Sequence, residues 1–159
     1  MEKSKIIKCL IDAVKKELDA IQSEAQTTKK YRESEDLKSE GKYDTRSIEA
    51  GYLAAGQLQR VEELKLELQM LEEIPSREFS PNDPIAIGAL VEIEYNKQSR
   101  NYFISPTAGG TMLQIDGETV LVISVFSPIG NEALDLKVGD SFEVQTPKEV
   151  REYTIRKLC

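Results

Sequence analysis

Between Glu33 and Asp44 the chain reads Glu-Ser-Glu-Asp-Leu-Lys-Ser-Glu-Gly-Lys-Tyr-Asp, five carboxylates against two lysines. Carboxylates this close repel one another and stay hydrated, and a divalent cation that prefers oxygen ligands is the natural species for them to share. On a helical backbone Asp36 and Glu40, four apart, fall on one face, with Glu35 and Asp44 in support. Two carboxylates alone make a weak site for a hard metal. They become effective when another macromolecule supplies the remaining ligands. The bland reading of the same segment is a solvated acidic turn. Just upstream, Lys29, Lys30 and Arg32 form a small basic cluster that suits contact with a phosphate, or simply balances the acidic charge.

The elements that must position this segment are helical. Residues 1–74 contain no proline, and their apolar residues recur at helical spacing. One run is Ile7, Leu10 or Ile11, Val14, Leu18, Ile21 and Ala25; the other is Ala54, Leu58, Val61, Leu64, Leu68 and Leu71. Neither helix can bury its stripe alone, so the expected solution is an antiparallel two-helix coiled-coil hairpin with its acidic tip near 34–44. The second arm, from about Thr45 to Glu73, is about 40 Å long at 1.5 Å per residue.

Residues 75–84 hold three prolines and read as a linker. Beyond them the period becomes two. Ile85, Ile87, Ala89, Val91, Ile93 and Tyr95 share one parity while Glu92 and Glu94 take the other, which predicts a strand over 85–95. Further strands are expected at Tyr102–Ile104, Met112–Ile115, Thr119–Phe126, Ser141–Gln145 and Glu152–Lys157. Gly109-Gly110 and Asp116-Gly117 read as hairpin turns, and Asn131–Leu136 as a short helix. The fold class is therefore α+β, a long hairpin over 1–74 followed by a small antiparallel β-sheet domain over 85–159.

Composition excludes much else. The 159 residues contain no histidine, and cysteine occurs only at Cys9 and Cys159. Ser-His-Asp chemistry, a zinc site of ordinary ligand count and a disulfide framework are all excluded. The net charge of −7 opposes binding to duplex DNA through the overall field. The N-terminal stretch is broken by charges every few residues, so no secretory signal is expected and the expected location is the cytoplasm.

The order of these parts resembles the GreA/GreB family of bacterial transcription elongation factors. The resemblance is carried by Ile123-Ser124-Val125-Phe126-Ser127-Pro128-Ile129, Glu132-Ala133-Leu134, Val138-Gly139-Asp140, Glu143-Val144-Gln145-Thr146-Pro147 and Tyr153-Thr154-Ile155. Ile87-Gly88-Ala89-Leu90-Val91 is similar to the family's first sheet strand, and Asp36-Leu37-Lys38 with Tyr43 is similar to its Asp-Leu-Lys-Glu-Asn-Ala-Glu-Tyr tip. The resemblance implies that 85–159 is an FKBP-like domain docking on the rim of the RNA polymerase secondary channel, with the hairpin entering that channel. It implies an accessory role rather than an enzyme. Asp36 and Glu40 would help hold a Mg²⁺ shared with the polymerase, which itself cleaves backtracked RNA, and Lys29, Lys30 and Arg32 become candidates for contact with the RNA 3′ end. No stably bound cofactor, membrane or sequence-specific DNA is implied, and an intramolecular hairpin favours a monomer.

The tip departs from the family pattern. Ser39 occupies the position of the second acidic residue, Glu40 that of Asn, Gly41 that of Ala and Lys42 that of Glu. Successive helical positions point about 100° apart, so Glu40 replaces the missing acid only with an altered direction. Three further readings stand beside cleavage stimulation: a non-cleaving secondary-channel regulator, a prolyl isomerase or chaperone built on the FKBP-like domain, and a plain coiled-coil spacer or dimer. The C-terminal aromatics, among them Phe79, Tyr95, Tyr102, Phe103, Phe126, Phe142 and Tyr153, read mostly as core, which weighs against an aromatic proline pocket.

Overall fold

The structure, a computed structural model, describes residues 2–32 and 45–159, apart from the side chains of 28, 31, 32, 45–50 and 53. Helix α1 spans Lys3–Arg32 and helix α2 spans Thr45–Glu72. The expected second arm matches α2 to within a residue. By contacts the chain forms two compact units, Asp12–Gln69 on one hand and Met1–Ile11 with Met70–Cys159 on the other.

Within 12–69 the two helices run antiparallel. Val14 of α1 and Ala54, Val61 and Leu64 of α2 are buried, and Leu18, Ile21, Ala25 and Leu68 are half-buried. Helical periodicity thus bought an inter-helix seam, as each stripe had no other apolar surface to meet. Leu58, assigned to that stripe from its spacing, is instead 60% exposed. It stands on the edge of the seam, above a cleft.

The other unit is built on a six-stranded sheet: β1 (Leu90–Tyr95), β2 (Gln98–Ser105), β3 (Met112–Ile115), β4 (Glu118–Ser124), β5 (Ser141–Gln145) and β6 (Val150–Leu158). Their order is β3-β4-β2-β1-β6-β5. A short helix α3, Pro128–Ala133, follows β4. Phe79, Ile85, Val91, Ile93, Ile104, Phe142 and Ile155 belong to one buried cluster, so the proline-containing segment places Phe79 in the core. In the same unit Ile6 and Leu10 of α1 and Leu71 and Ile74 are buried.

Three local expectations change. The strand predicted from Ile85 begins only at Leu90. Ile85 exchanges backbone bonds with the end of the α3 region (its N–H to Leu136 O, 2.8 Å; Asp135 N–H to its own O, 3.0 Å), and Gly88 turns the chain at φ +88°. Only the end of the segment reaches β2, where Gly88 N–H donates to Ile104 O at 2.8 Å and Ile104 N–H donates to Ala89 O at 2.9 Å. Gly109-Gly110 does not close a hairpin either: β2 pairs with β4 in parallel, and only β3 returns antiparallel to β4. The chain crosses from β2 to β3 with Gly110 N–H bonded to Val122 O at 2.9 Å. Asp116-Gly117 is the hairpin turn predicted, both residues having positive φ, and Asn96-Lys97 makes a second between β1 and β2. Finally the short helix starts three residues early, because Ser127 caps it and Pro128 is pre-set for its first turn.

Candidate functional site

Glu35, Asp36, Ser39, Glu40 and Asp44 all lie outside the described residues. Arg32 ends α1, with its side chain likewise outside them. Lys29 and Lys30 are exposed on the last turns of α1, directly before the acidic segment. Among the described residues no three acidic or sulfur ligands converge on a metal position.

What the structure does show is the stem that carries the segment. Its register is held by Arg60. The guanidinium Nη2 meets Glu17 Oε1 of the opposite helix at 2.9 Å, while Nη1 reaches Glu63 at 3.4 Å and Glu67 at 3.3 Å. Glu17 holds the Arg60 guanidinium further toward its charged form. One arginine gathering three carboxylates across and along the helices makes a small network, in which the planar fork keeps several donors engaged at once. A cleft of about 600 Å³ is lined by Gln22, Ala25 and Lys29 of α1 and by Ala54, Leu58 and Lys65 of α2.

The sheet unit offers a second surface. Ser127 Oγ donates to Ser124 O at 2.7 Å and accepts from Gly130 N–H at 3.1 Å. Gly130 packs so closely that a Cβ there would lie 2.0 Å from Ser124 O. This tight turn holds Phe126 out at 81% exposure. The strand expected over Thr119–Phe126 ends at Ser124, which leaves Phe126 in the turn; the Ser-Pro that follows it is the available signal. Tyr153 instead stacks on Phe142 with ring centroids 5.3 Å apart and meets Tyr95 in a tilted pair at 5.1 Å, and the three fill the sheet core and its margin.

At the start of α1, Lys5 Nζ meets Asp116 of the β3–β4 turn at 3.1 Å, and Lys3 donates to Arg77 O and lies 4.8 Å over the Phe79 ring. Arg77 covers the same ring, also at 4.8 Å. These contacts fasten the first turns of α1 within the sheet unit.

Residues 80–158, from just before the first sheet residues to the end of β6, match the family described as transcription elongation factor, GreA/GreB, C-term. The chain belongs to the GreA/GreB family. It is a GreA/GreB-type transcription elongation factor by family, and the α+β plan of helical hairpin and sheet accords with that assignment. Among curated proteins no significant match is found. Among solved structures it is similar to the GreA factor homolog 1 (Gfh1) protein of Thermus thermophilus at 24% identity, covering 94% of each chain, with a TM-score of 0.36. Thermus aquaticus Gfh1 is 22% identical over 92% of each chain with a TM-score of 0.40. The GreA/GreB elongation factor of Nitrosomonas europaea is 22% identical over 62% of this chain and 78% of its own, with a TM-score of 0.37.

Proposed function

We propose that this protein binds bacterial RNA polymerase at its secondary channel and stimulates cleavage of backtracked RNA. The observation that carries the reading is the GreA/GreB match over 80–158. The acidic run between the two helices supports it, because carboxylates suit an ion already partly coordinated by another macromolecule. In two-metal phosphoryl chemistry Mg²⁺ generates the attacking oxygen and stabilises the leaving one. Asp36 and Glu40 supply oxygen ligands to that shared ion, Glu35 and Asp44 add negative charge beside them, and Lys29, Lys30 and Arg32 hold the RNA 3′ end. The polymerase's own active site breaks the bond, so the protein is an accessory factor. It acts in the cytoplasm as a monomer.

The test is a backtracked elongation complex with the cognate polymerase and Mg²⁺, with release of the RNA 3′ fragment followed for wild type and Asp36→Ala. The variant is expected to lose about two orders of magnitude in stimulated rate, on the scale set by misplaced catalytic groups, while binding to polymerase is unchanged. Equal rates for the two proteins would overturn the role of Asp36.

One observation favours a second reading. Ser39 stands at the position of the second acid, and a tip with a single matched carboxylate suits a factor that occupies the channel without cleaving. Binding with no stimulated cleavage by wild type, gained on Ser39→Glu, would establish that reading.

A further inference from the structure

The sheet ends at β5, a five-residue strand paired on one side only. Asp140 and Thr146, at its two ends, bond through the backbone to Ile155 and Glu149. Antiparallel alternation then directs the amides of Ser141, Glu143 and Gln145 away from β6, and among the described residues none of them has a further backbone partner. Alongside this edge runs a cleft of about 560 Å³, with Phe142 and Leu136 as its apolar part and Glu132, Glu143 and Glu152 around it. Glu143 sits directly opposite Glu152 in the β5–β6 register. Like charges directly opposed across strands are unfavourable, and among the described residues no cation is paired with either.

We infer that the β5 edge is a docking strand for an extended segment of another protein in which basic and apolar residues alternate. Strand addition supplies the missing main-chain partners, the apolar side chains of such a segment meet Phe142 and Leu136, and its cations relieve the Glu143–Glu152 opposition. Charge complementarity also discriminates against a second copy of this chain: antiparallel self-pairing centred on β5 would set Glu143 against its own counterpart. The inference does not depend on the polymerase reading, since it concerns an edge defined by sheet topology alone.

The probe is a synthetic eight-residue peptide alternating lysine with valine, titrated into the full chain and followed by amide NMR. Its controls are an alternating glutamate–valine peptide and a lysine–valine peptide carrying a central proline. The expected result is shifts and slowed exchange at the Ser141, Glu143 and Gln145 amides with the first peptide alone. Glu143→Lys is expected to weaken that binding about tenfold, a loss of about 1.4 kcal/mol. Because Glu143 is exposed, the variant should keep the wild-type amide spectrum elsewhere, and Glu152→Lys repeats the test from the neighbouring strand. Shifts confined to α1 and α2, equal binding of the proline peptide, indifference to both reversals, or concentration-dependent self-association through β5 would each overturn the proposal. Polymerase binding by Glu143→Lys, measured alongside, separates failure here from failure of the proposed function.

Discussion

Gly130 shows how much one missing carbon can decide. The Ser124–Gly130 turn closes because the glycine lies against the Ser124 carbonyl, where a Cβ would sit 2.0 Å away. Backbone cannot yield as a flexible side chain can. Gly130→Ala is therefore expected to cost about 3 kcal/mol, in the upper range for single substitutions, and to disturb both the Ser127 cap and the presentation of Phe126. Denaturant unfolding of the variant beside wild type measures it; a loss below about 1 kcal/mol would show that the turn relaxes without strain. At this scale the sequence was partly legible. Ser127-Pro128 is a helix-start signal readable without coordinates, but nothing local to Gly130 tells that β4's last carbonyl lies against it.

The stem is the element whose integrity any role of the acidic segment requires. Among the described residues its seam within 12–69 has few that are fully buried, so polar contacts at its margin carry a larger share of its register. Arg60 is half-buried and touches Glu17, Glu63 and Glu67. Arg60→Ala is expected to destabilise the stem by about 1 kcal/mol, the scale of a partly exposed ion-pair network, with the difference shrinking in high salt. Amide exchange along α1 and α2 at low and high ionic strength checks this. A loss independent of salt would assign Arg60's contribution to the packing of its aliphatic stem instead. Both helices were legible because their apolar spacing is long and regular. The exposure of Leu58 was not, since residues at the flank of a helical stripe are buried only if the partner helix stays close enough to cover them.

At the scale of the whole molecule, three hydrogen-bonded carboxylates among the described residues bear on pH dependence. Arg156 holds Glu94 below its ordinary 4.5, Arg151 and then Tyr95 do so for Glu149, and the Ser80 N–H holds Asp83 below its ordinary 3.8. Groups lowered in the folded state bind fewer protons there than in the unfolded chain. Their contribution to stability is present above pH 4.5 and lost as pH falls through the folded values. With no histidine in the chain, stability should be level between about pH 6 and pH 8 and should decline only below pH 4.5. A thermal-melting series across that range checks it, and a step near pH 6.5, where histidine ordinarily titrates, would contradict it. The sequence by itself determined the helical arms, most strand positions, the acidic segment and the family signature, because each is written in local spacing and residue type. Tertiary structure alone decided that β2 lies parallel to β4, that Ile85 bonds to the end of the α3 region while only Gly88 and Ala89 reach β2, that Phe126 faces solvent and that β5 is an edge. Those outcomes depend on which distant strand or carbonyl arrives as a neighbour. A period of two records that alternate residues are buried; it carries no information about what buries them.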